Sequence, residues 1–443
     1  MRLFGRYRLT TFQVIAFSFL FLVMTGTLLL MLPAASRDAG SVCFSDCLFT
    51  ATSAVCVTGL VVRDTFASWT PFGQAVILLL IQIGGMGVVT AAVSVAFVSG
   101  RKIGLMQRSV MQEAISAPQV GGIVKLTKFI VFTALALEAA GAAALLPALV
   151  PAFGWGKGIW YAVFHAVSAF CNAGFDLMGA SEPFASLTGY TQNILVNAVL
   201  VLLITVGGIG FLVWNDVREH GLHISRYRLQ SRIVLITSGI LILIPFLWFF
   251  LFEMPETPLP ERILPSLFQS VTLRTAGFNT VDLNGISGSG KTIMILWMLI
   301  GGSPGSTAGG MKTTTLAIIL MTLFSVIRRK QDVECMGRRI GTDTVRNAVA
   351  IASIYLLVFF LGGMLISGME KLPLLPCLFE AASAVGTVGL SLGITAGLGT
   401  ASRLILIALM FLGRVGGLTL IYAAQSVHRP VQSLRPLEKV TVG

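Results

Sequence analysis

One short pattern occurs four times in this chain: a half-length apolar helix, a small residue, a glycine, and then Leu or Phe. The copies are LFTATSAVCVTGL (48–60), VFHAVSAFCNAGF (163–175), LFQSVTLRTAGF (267–278) and LFEAASAVGTVGL (378–390). Their glycines, Gly59, Gly174, Gly277 and Gly389, lie 115, 103 and 112 residues apart. That period is too long for a solenoid, whose repeats run to ~50 residues, and it points to four copies of one larger unit.

The solvent of this unit is lipid. The chain is 55% hydrophobic and 11% charged, where a soluble domain carries roughly 25% charged residues. Eight long apolar stretches can be marked, at 12–32, 72–98, 126–150, 192–214, 233–252, 292–327, 347–367 and 402–424. Most reach the ~20 residues that cross a bilayer. The four repeated segments fall between the members of successive pairs and are too short to span. The expected unit is span, re-entrant half-helix, glycine loop, span. The expected fold is all-α and integral to the membrane: four span–pore-helix–span repeats, with 8 transmembrane helices and 4 re-entrant pore helices around a central pore. The repeats are placed at 1–100, 101–222, 223–335 (with a broken inner helix) and 336–427, before a cytoplasmic tail at 428–443. The first span is long and has no small-residue cleavage site after Leu32, so it reads as a span rather than a removable signal.

The net charge of +12 is a topology signal. Lys and Arg gather at 1–11, 99–128, 216–232, 326–346 and 428–443, which hold 21 of the 31 and fall on one side if eight spans alternate. That side, with both termini, is cytoplasmic by the positive-inside rule. The opposite loops carry Asp38, Asp46, Asp64, Asp176, Glu182, Glu253, Glu256, Glu261 and Asp282, an acidic rim that concentrates cations at a pore mouth. Nucleic acid is excluded as a partner. The six cysteines read as small buried side chains, and His165, His220, His223 and His428 form no metal set.

Irregular backbone at membrane depth is tolerated only where it is protected or lines a water-filled path. Four glycine loops converging on one axis can turn carbonyls inward, which is how a dehydrated cation is selected. The candidate filter is Val57, Thr58 and Gly59; Asn172, Ala173 and Gly174; Thr275, Ala276 and Gly277; and Thr387, Val388 and Gly389. Leu60, Phe175, Phe278 and Leu390 would wedge each loop against its own unit. A second repeated feature follows each filter: IGGMG (83–87), VGGIG (206–210), IGGSPG (300–305) and LGRVGG (412–417). These glycines suit either close packing or a hinge.

The third copy differs. Between 292 and 327 the apolar halves flank a polar, glycine-rich middle, and neither half spans alone. Gly301, Gly302, Ser303, Pro304, Gly305, Ser306, Thr307, Ala308, Gly309, Gly310 and Lys312 are expected to form a mobile plug below the filter. Arg414 sits near the centre of the last span, where an ionisable residue is a functional candidate. It reads as a barrier or latch touching that loop, or as one half of an ion pair with Glu138. Arg274 reads as a brace behind the third filter, reaching Glu380. Residues 285–292, GISGSGKT, match a phosphate-binding loop letter for letter, but the required strand–loop–helix context is missing, so no bound nucleotide is expected.

The four filters, the string GGSPGSTAGGMKT (301–313) and Arg414 together resemble the Trk/Ktr/HKT superfamily of potassium transporters, over essentially the whole chain. The chain starts at the first pore unit and so is nearest the Ktr-type membrane subunit. The resemblance implies K+ uptake across a bacterial plasma membrane, without enzymatic chemistry. It also implies a homodimer and a separate KtrA-like cytoplasmic ring of nucleotide-binding subunits. In the plant branch a Ser in place of the first filter glycine goes with sodium preference, and Gly59 favours potassium. Stimulation by Na+ is left open. Two alternatives stand beside this reading: a Na+ or other monovalent-cation symporter with alternating access, which calls for inverted repeats, and an ATP-driven pump built on 285–292.

Overall fold

The computed structural model describes residues 10–38, 42–87, 104–115, 121–180, 182–255, 257–424 and 438. The expected tail at 428–443 apart from residue 438, the basic residues before Thr10, the second half of the first inner stretch and Glu256 lie outside the described residues, and so does His428.

The first repeat begins with α1 (Thr11–Leu30). Its entry is fixed by a capping box in which Thr10 and Gln13 exchange side-chain and backbone hydrogen bonds. Then come α2 (Phe44–Val55), a single turn α3 (Thr65–Ser68) and α4 (Pro71–Met86), whose Pro71 starts the helix behind a Thr70 cap. After α5 (Leu105–Ile115) comes the 48-residue α6 (Ile123–Phe170), whose last residues carry the second copy of the repeated segment. Pro147 and Pro151 strain its middle, and Gly154, at φ 78° and ψ 167°, breaks it. The repeat ends in α7 (Ile194–Gly208) and α8 (Phe211–His220).

The third repeat comprises α9 (Leu229–Trp248, running on as a π-turn to Glu253), α10 (Leu259–Thr272), α11 (Gly288–Met298) and α12 (Thr313–Ile327). The fourth comprises α13 (Thr342–Glu370), α14 (Leu374–Gly386), α15 (Thr400–Val415) and α16 (Gly417–Ala424). The fold is mostly helical, but the all-α expectation needs one correction. Strands β1 (Val333–Cys335) and β2 (Arg338–Ile340) form an antiparallel hairpin between α12 and α13, turning on Met336 and Gly337, both at positive φ.

The eight apolar stretches do not become eight straight helices. Among the described residues, four helical segments are long and apolar enough to cross a membrane: Thr11–Leu30, Ile123–Phe170, Leu229–Glu253 and Thr342–Glu370. The inner stretches are interrupted instead. Helices α7 and α8 meet at 95° and α15 and α16 at 93°, α4 stops at Gly87, and α11 and α12 are parted by residues 299–312.

The glycine clusters cause both close packing and breakage. In three of the four clusters the first glycine is a contact and the glycine three residues later is a break. A methyl group on Gly84, Gly207 or Gly413 would collide with the carbonyl oxygen of Val55, Phe170 or Val385, near the end of the half-helix of its own repeat. Gly87, Gly210 and Gly416 have φ of 86°, 95° and 94°, a left-handed region from which L side chains are largely barred.

Candidate functional site

The four half-helices end on one construction. Val57, Asn172, Thr275 and Thr387 all have φ between 52° and 62°, and the glycine two residues later has φ between 69° and 97°. These two left-handed residues, two apart, turn the chain sharply where each half-helix ends. The turn is tied to its own helix by a Ser or Thr that holds the sixth place in every copy. Gly59 N–H donates to Ser53 Oγ at 3.1 Å and Gly389 N–H to Ser383 Oγ at 3.0 Å. Ser168 and Thr272 instead donate to the carbonyls of Phe175 and Phe278, at 2.7 Å and 2.5 Å. Behind the loops, the Thr58, Ala173 and Val388 amides each bond a carbonyl five residues back, at 2.8 Å. The third loop is one residue shorter, so Ala276 bonds Thr272, four residues back.

The four loops meet. A methyl group built on Gly59 would lie 3.0 Å from Gly174 Cα, and one on Gly174 would lie 2.8 Å from Gly277 Cα. One on Gly277 would lie 3.3 Å from Gly389 Cα, and one on Gly389 would lie 2.9 Å from Gly59 Cα. The glycines therefore close a ring in chain order, with no room for side chains between neighbours. Thr58, Ala173, Ala276 and Val388 are fully buried behind it, as are Leu60, Phe175, Phe278 and Leu390. Phe278 does not wedge only against its own repeat; its ring lies 6.4 Å from that of His165 in the second.

On one side of the ring all four glycines line a cavity of about 270 Å3 together with Asp64, Asp176, Asp282, Asn279 and Ser391. Desolvation and the negative charge of Asp64 push the half-buried Asp176 carboxyl up to about 6, against the pull of the Met178 amide.

On the other side lies the 301–312 segment. Breaking an inner helix frees carbonyls that would have bonded the next turn, and this segment supplies their donors. Ser303 N–H donates to Gly208 O (3.0 Å), Thr307 N–H to Gly207 O (3.3 Å) and Gly310 N–H to Gly413 O (3.1 Å). In return, Phe211 N–H donates to Gly305 O at 2.6 Å. Gly301 and Thr313 fold the segment back on itself through Met311 O and Gly302 O. Its tip touches the ring: Thr307 Oγ1 donates to Phe170 O at 3.1 Å and lies 3.0 Å from Asn172 Oδ1, and Gly309 packs on Thr387. Lys312 Nζ folds back on Ala308 O at 2.8 Å. A second cavity, of about 310 Å3, is lined by Gly305, Ser306, Ala308, Gly310, Lys312 and Arg414. Gly301, Gly302, Ser303 and Pro304 form the entering strand of the segment rather than this wall.

Arg414 holds the place in its cluster that Gly85 and Gly208 hold in theirs. Its guanidinium donates to Thr307 O on the segment and, from the other nitrogen, to Gly84 O and Gly85 O (2.9 Å to the latter). One side chain thus links the first repeat, the fourth repeat and the tip of the segment. The alternative ion pair with Glu138 does not form; Glu138 accepts from Gln82 Nε2 on both oxygens at 3.0 Å and from Cys171 Sγ at 3.9 Å. The brace from Arg274 to Glu380 is also absent. Arg274 reaches Ser238 O and Oγ at 3.4 Å, while Glu380 accepts from Ser391, Leu392 and Thr395. Cys43 is exposed and Cys335 half-buried, so not every cysteine is interior.

The phosphate-loop string has a physical reason to be a decoy. Ser287 caps α11, and the helix start that would cradle a phosphate is taken by Glu253, which accepts from Ser287 N–H at 2.9 Å and Ser287 Oγ at 2.7 Å. The tying hydroxyls Ser53, Ser168, Thr272 and Ser383 were not singled out by sequence reasoning. Their signal was the sixth letter of the repeat, which is Ser or Thr in all four copies.

A ring of four glycine loops in a mostly helical, lipid-embedded chain defines a multi-pass membrane transport protein. Residues 6–431 match the family model described as TrkH, a cation transport protein, and the chain belongs to that family. It is 38% identical to the potassium/sodium uptake protein NtpJ of Enterococcus hirae over 427 residues, covering 94% of this chain and 93% of that one. It is also 38% identical to the Ktr system potassium uptake protein B of Bacillus subtilis over 422 residues, with the same coverage. Among solved structures, the potassium transporter TrkH of Vibrio parahaemolyticus superposes with a TM-score of 0.75 at 21% identity, covering 96% of this chain and 87% of that one. That likeness speaks to the fold.

Proposed function

We propose that this chain is the ion-translocating subunit of a Ktr-type system and takes up K+ across a bacterial plasma membrane. The observation that carries the reading is the closed ring of Gly59, Gly174, Gly277 and Gly389 with one cavity on each side and the 301–312 segment between ring and second cavity. The carbonyls of 57–59, 172–174, 275–277 and 387–389 are the filter. The acidic cavity is the outer mouth and the cavity at Arg414 the inner one. Residues 301–312 and Arg414 are the gate, drawn closed. Each repeat contributes a span, a re-entrant pore helix and a broken inner span, which gives 8 crossings and puts both termini in the cytoplasm.

Transport needs no chemical step. An inside-negative potential contributes about 2.3 kcal/mol per charge per 100 mV, enough to accumulate K+ through an open pore. The family likeness supports a homodimer opened by a cytoplasmic nucleotide-binding ring, and the name of the Enterococcus hirae relative keeps Na+ in view as a second ion. Alternating access is disfavoured because the four units run in one order rather than as inverted pairs. The test is growth of a potassium-uptake-deficient bacterium at low external K+, with a Ktr-type ring subunit co-expressed. Rescue by the native chain is expected; failure to rescue would overturn the reading.

A further inference from the structure

The third residue of each repeated segment is polar and enclosed in all four copies. Thr50, His165, Gln269 and Glu380 are 0–1% exposed, each beside an equally buried phenylalanine, Phe49, Phe164, Phe268 or Phe379. Buried polar groups ordinarily find partners, and two of these four do so in the same way. Glu380 Oε1 accepts from the Leu392 amide at 3.1 Å and the Ser391 hydroxyl at 2.6 Å, and Oε2 accepts from Thr395 Oγ1 at 2.6 Å. His165 Nδ1 lies 2.7 Å from Tyr161 O, which makes Nδ1 the protonated nitrogen and leaves Nε2 to accept. Nε2 receives the Leu177 amide at 3.4 Å. Leu177 and Leu392 are both the third residue after the ring glycine. A histidine and a glutamate therefore make one structural bond in two repeats.

The other two copies lack it. Thr50 Oγ1 and both amide atoms of Gln269 have no partner, and neither has Thr280 Oγ1, on the third residue after Gly277. Because the ring runs 59–174–277–389, the tied copies face each other across it, and so do the untied ones. A pattern that is four-fold in sequence is two-fold in its support.

We infer that His165 and Glu380 are positioning residues that anchor the strands leaving the second and fourth glycines, and so fix the spacing of the carbonyls at the outer end of the ring. Carbonyls held apart suit K+; a ring free to contract admits the smaller Na+. This rests on the reading of the ring as the filter. Neither side chain touches the ion; each acts through the backbone amide it holds.

The test is uptake of rubidium, as a K+ tracer, and of sodium by the purified full-length protein reconstituted in liposomes together with a Ktr-type ring subunit. Native protein is compared with Glu380→Ala, His165→Ala, Thr50→Val and Glu380→Gln, with folded yield and melting temperature recorded for each. The Rb+/Na+ rate ratio is expected to fall about tenfold in Glu380→Ala and His165→Ala. It should stay within twofold in Thr50→Val, whose hydroxyl holds nothing. Glu380→Gln should recover most of the ratio, because its carboxamide oxygen can still accept the Leu392 amide. Should Glu380→Ala not fold, His165→Ala against Thr50→Val decides the matter. A purely structural role would lower yield or melting temperature and leave the ratio unmoved. That result, or an equal shift in Thr50→Val, would overturn the inference. Uptake of neither ion, even by a chain lacking the gate residues 303–309, would instead overturn the reading of the ring as a filter.

Discussion

Arg414→Ala is expected to open the closed pore, by an amount that can be worked from the contacts. The guanidinium makes three hydrogen bonds to carbonyls, but only the one to Thr307 O must break if the 301–312 segment is to leave; Gly84 and Gly85 stay with the first repeat. A hydrogen bond involving a charged group contributes roughly 1.5–3 kcal/mol, which at ~1.4 kcal/mol per decade is about a tenfold to 150-fold shift of the closed-to-open ratio. Tracer uptake by the protein alone in liposomes, without the regulatory ring, should rise by that factor. An electrostatic barrier predicts a rise too, and Arg414→Lys separates the two. Lysine keeps the charge but lacks the planar fork that reaches Thr307 and Gly84 together. A latch predicts that Lys leaks nearly as much as Ala, and a barrier predicts that Lys is silent. Uptake within twofold of native in Arg414→Ala would refute both.

Removing residues 303–309 should give high uptake that the ring subunit no longer controls, and unchanged uptake would count against the plug. Gly413→Ala sets a methyl against Val385 O, whereas Gly239, inside α9, has nothing within 4 Å of a built methyl. Melting in detergent should show Gly413→Ala strongly destabilised and Gly239→Ala neutral or more stable by up to about 1 kcal/mol; equal effects would contradict the packing account. Asp176 titrates near 6, so its charge at the outer mouth is present above that pH and lost below it. Uptake from low external K+ should fall as outside pH drops from about 7 to about 5, and Asp176→Asn should flatten the curve. Lys291→Ala should leave transport unchanged, since Lys291 Nζ only bonds Asn284 O at 2.9 Å; lost transport would revive the nucleotide reading.

The four glycine loops were legible because four registers repeat the same constraint: a glycine at positive φ two residues after a left-handed residue leaves its mark in composition. Thr307 beside Asn172 and Arg414 beside Thr307 were legible only as a neighbourhood, from a polar break and a lone charge at matching depth. The partners of Arg414 were not legible, because backbone carbonyls freed by a helix break carry no letter in the sequence. Charge alone pairs Glu380 with Arg274. The fold satisfies each with neutral groups instead, Ser391, Leu392 and Thr395 for one and Ser238 for the other. Reading glycine clusters as either packing or hinge posed a false choice, since Gly413 packs and Gly416 breaks within four residues. The hairpin at 333–340 is short and lies in a basic connection, so its three-residue strands leave no alternating apolar pattern in the sequence.

The most direct test of the central claim is the selectivity of the purified chain in liposomes, comparing native protein with Gly59→Ser. A side chain there meets Gly174 Cα at 3.0 Å, at a φ of 90°, so it must deform the ring. If the four loops are the filter, native protein prefers K+ and Gly59→Ser loses most of that preference while still folding. If both proteins discriminate K+ from Na+ equally, selection happens elsewhere and the ring is only a fold element.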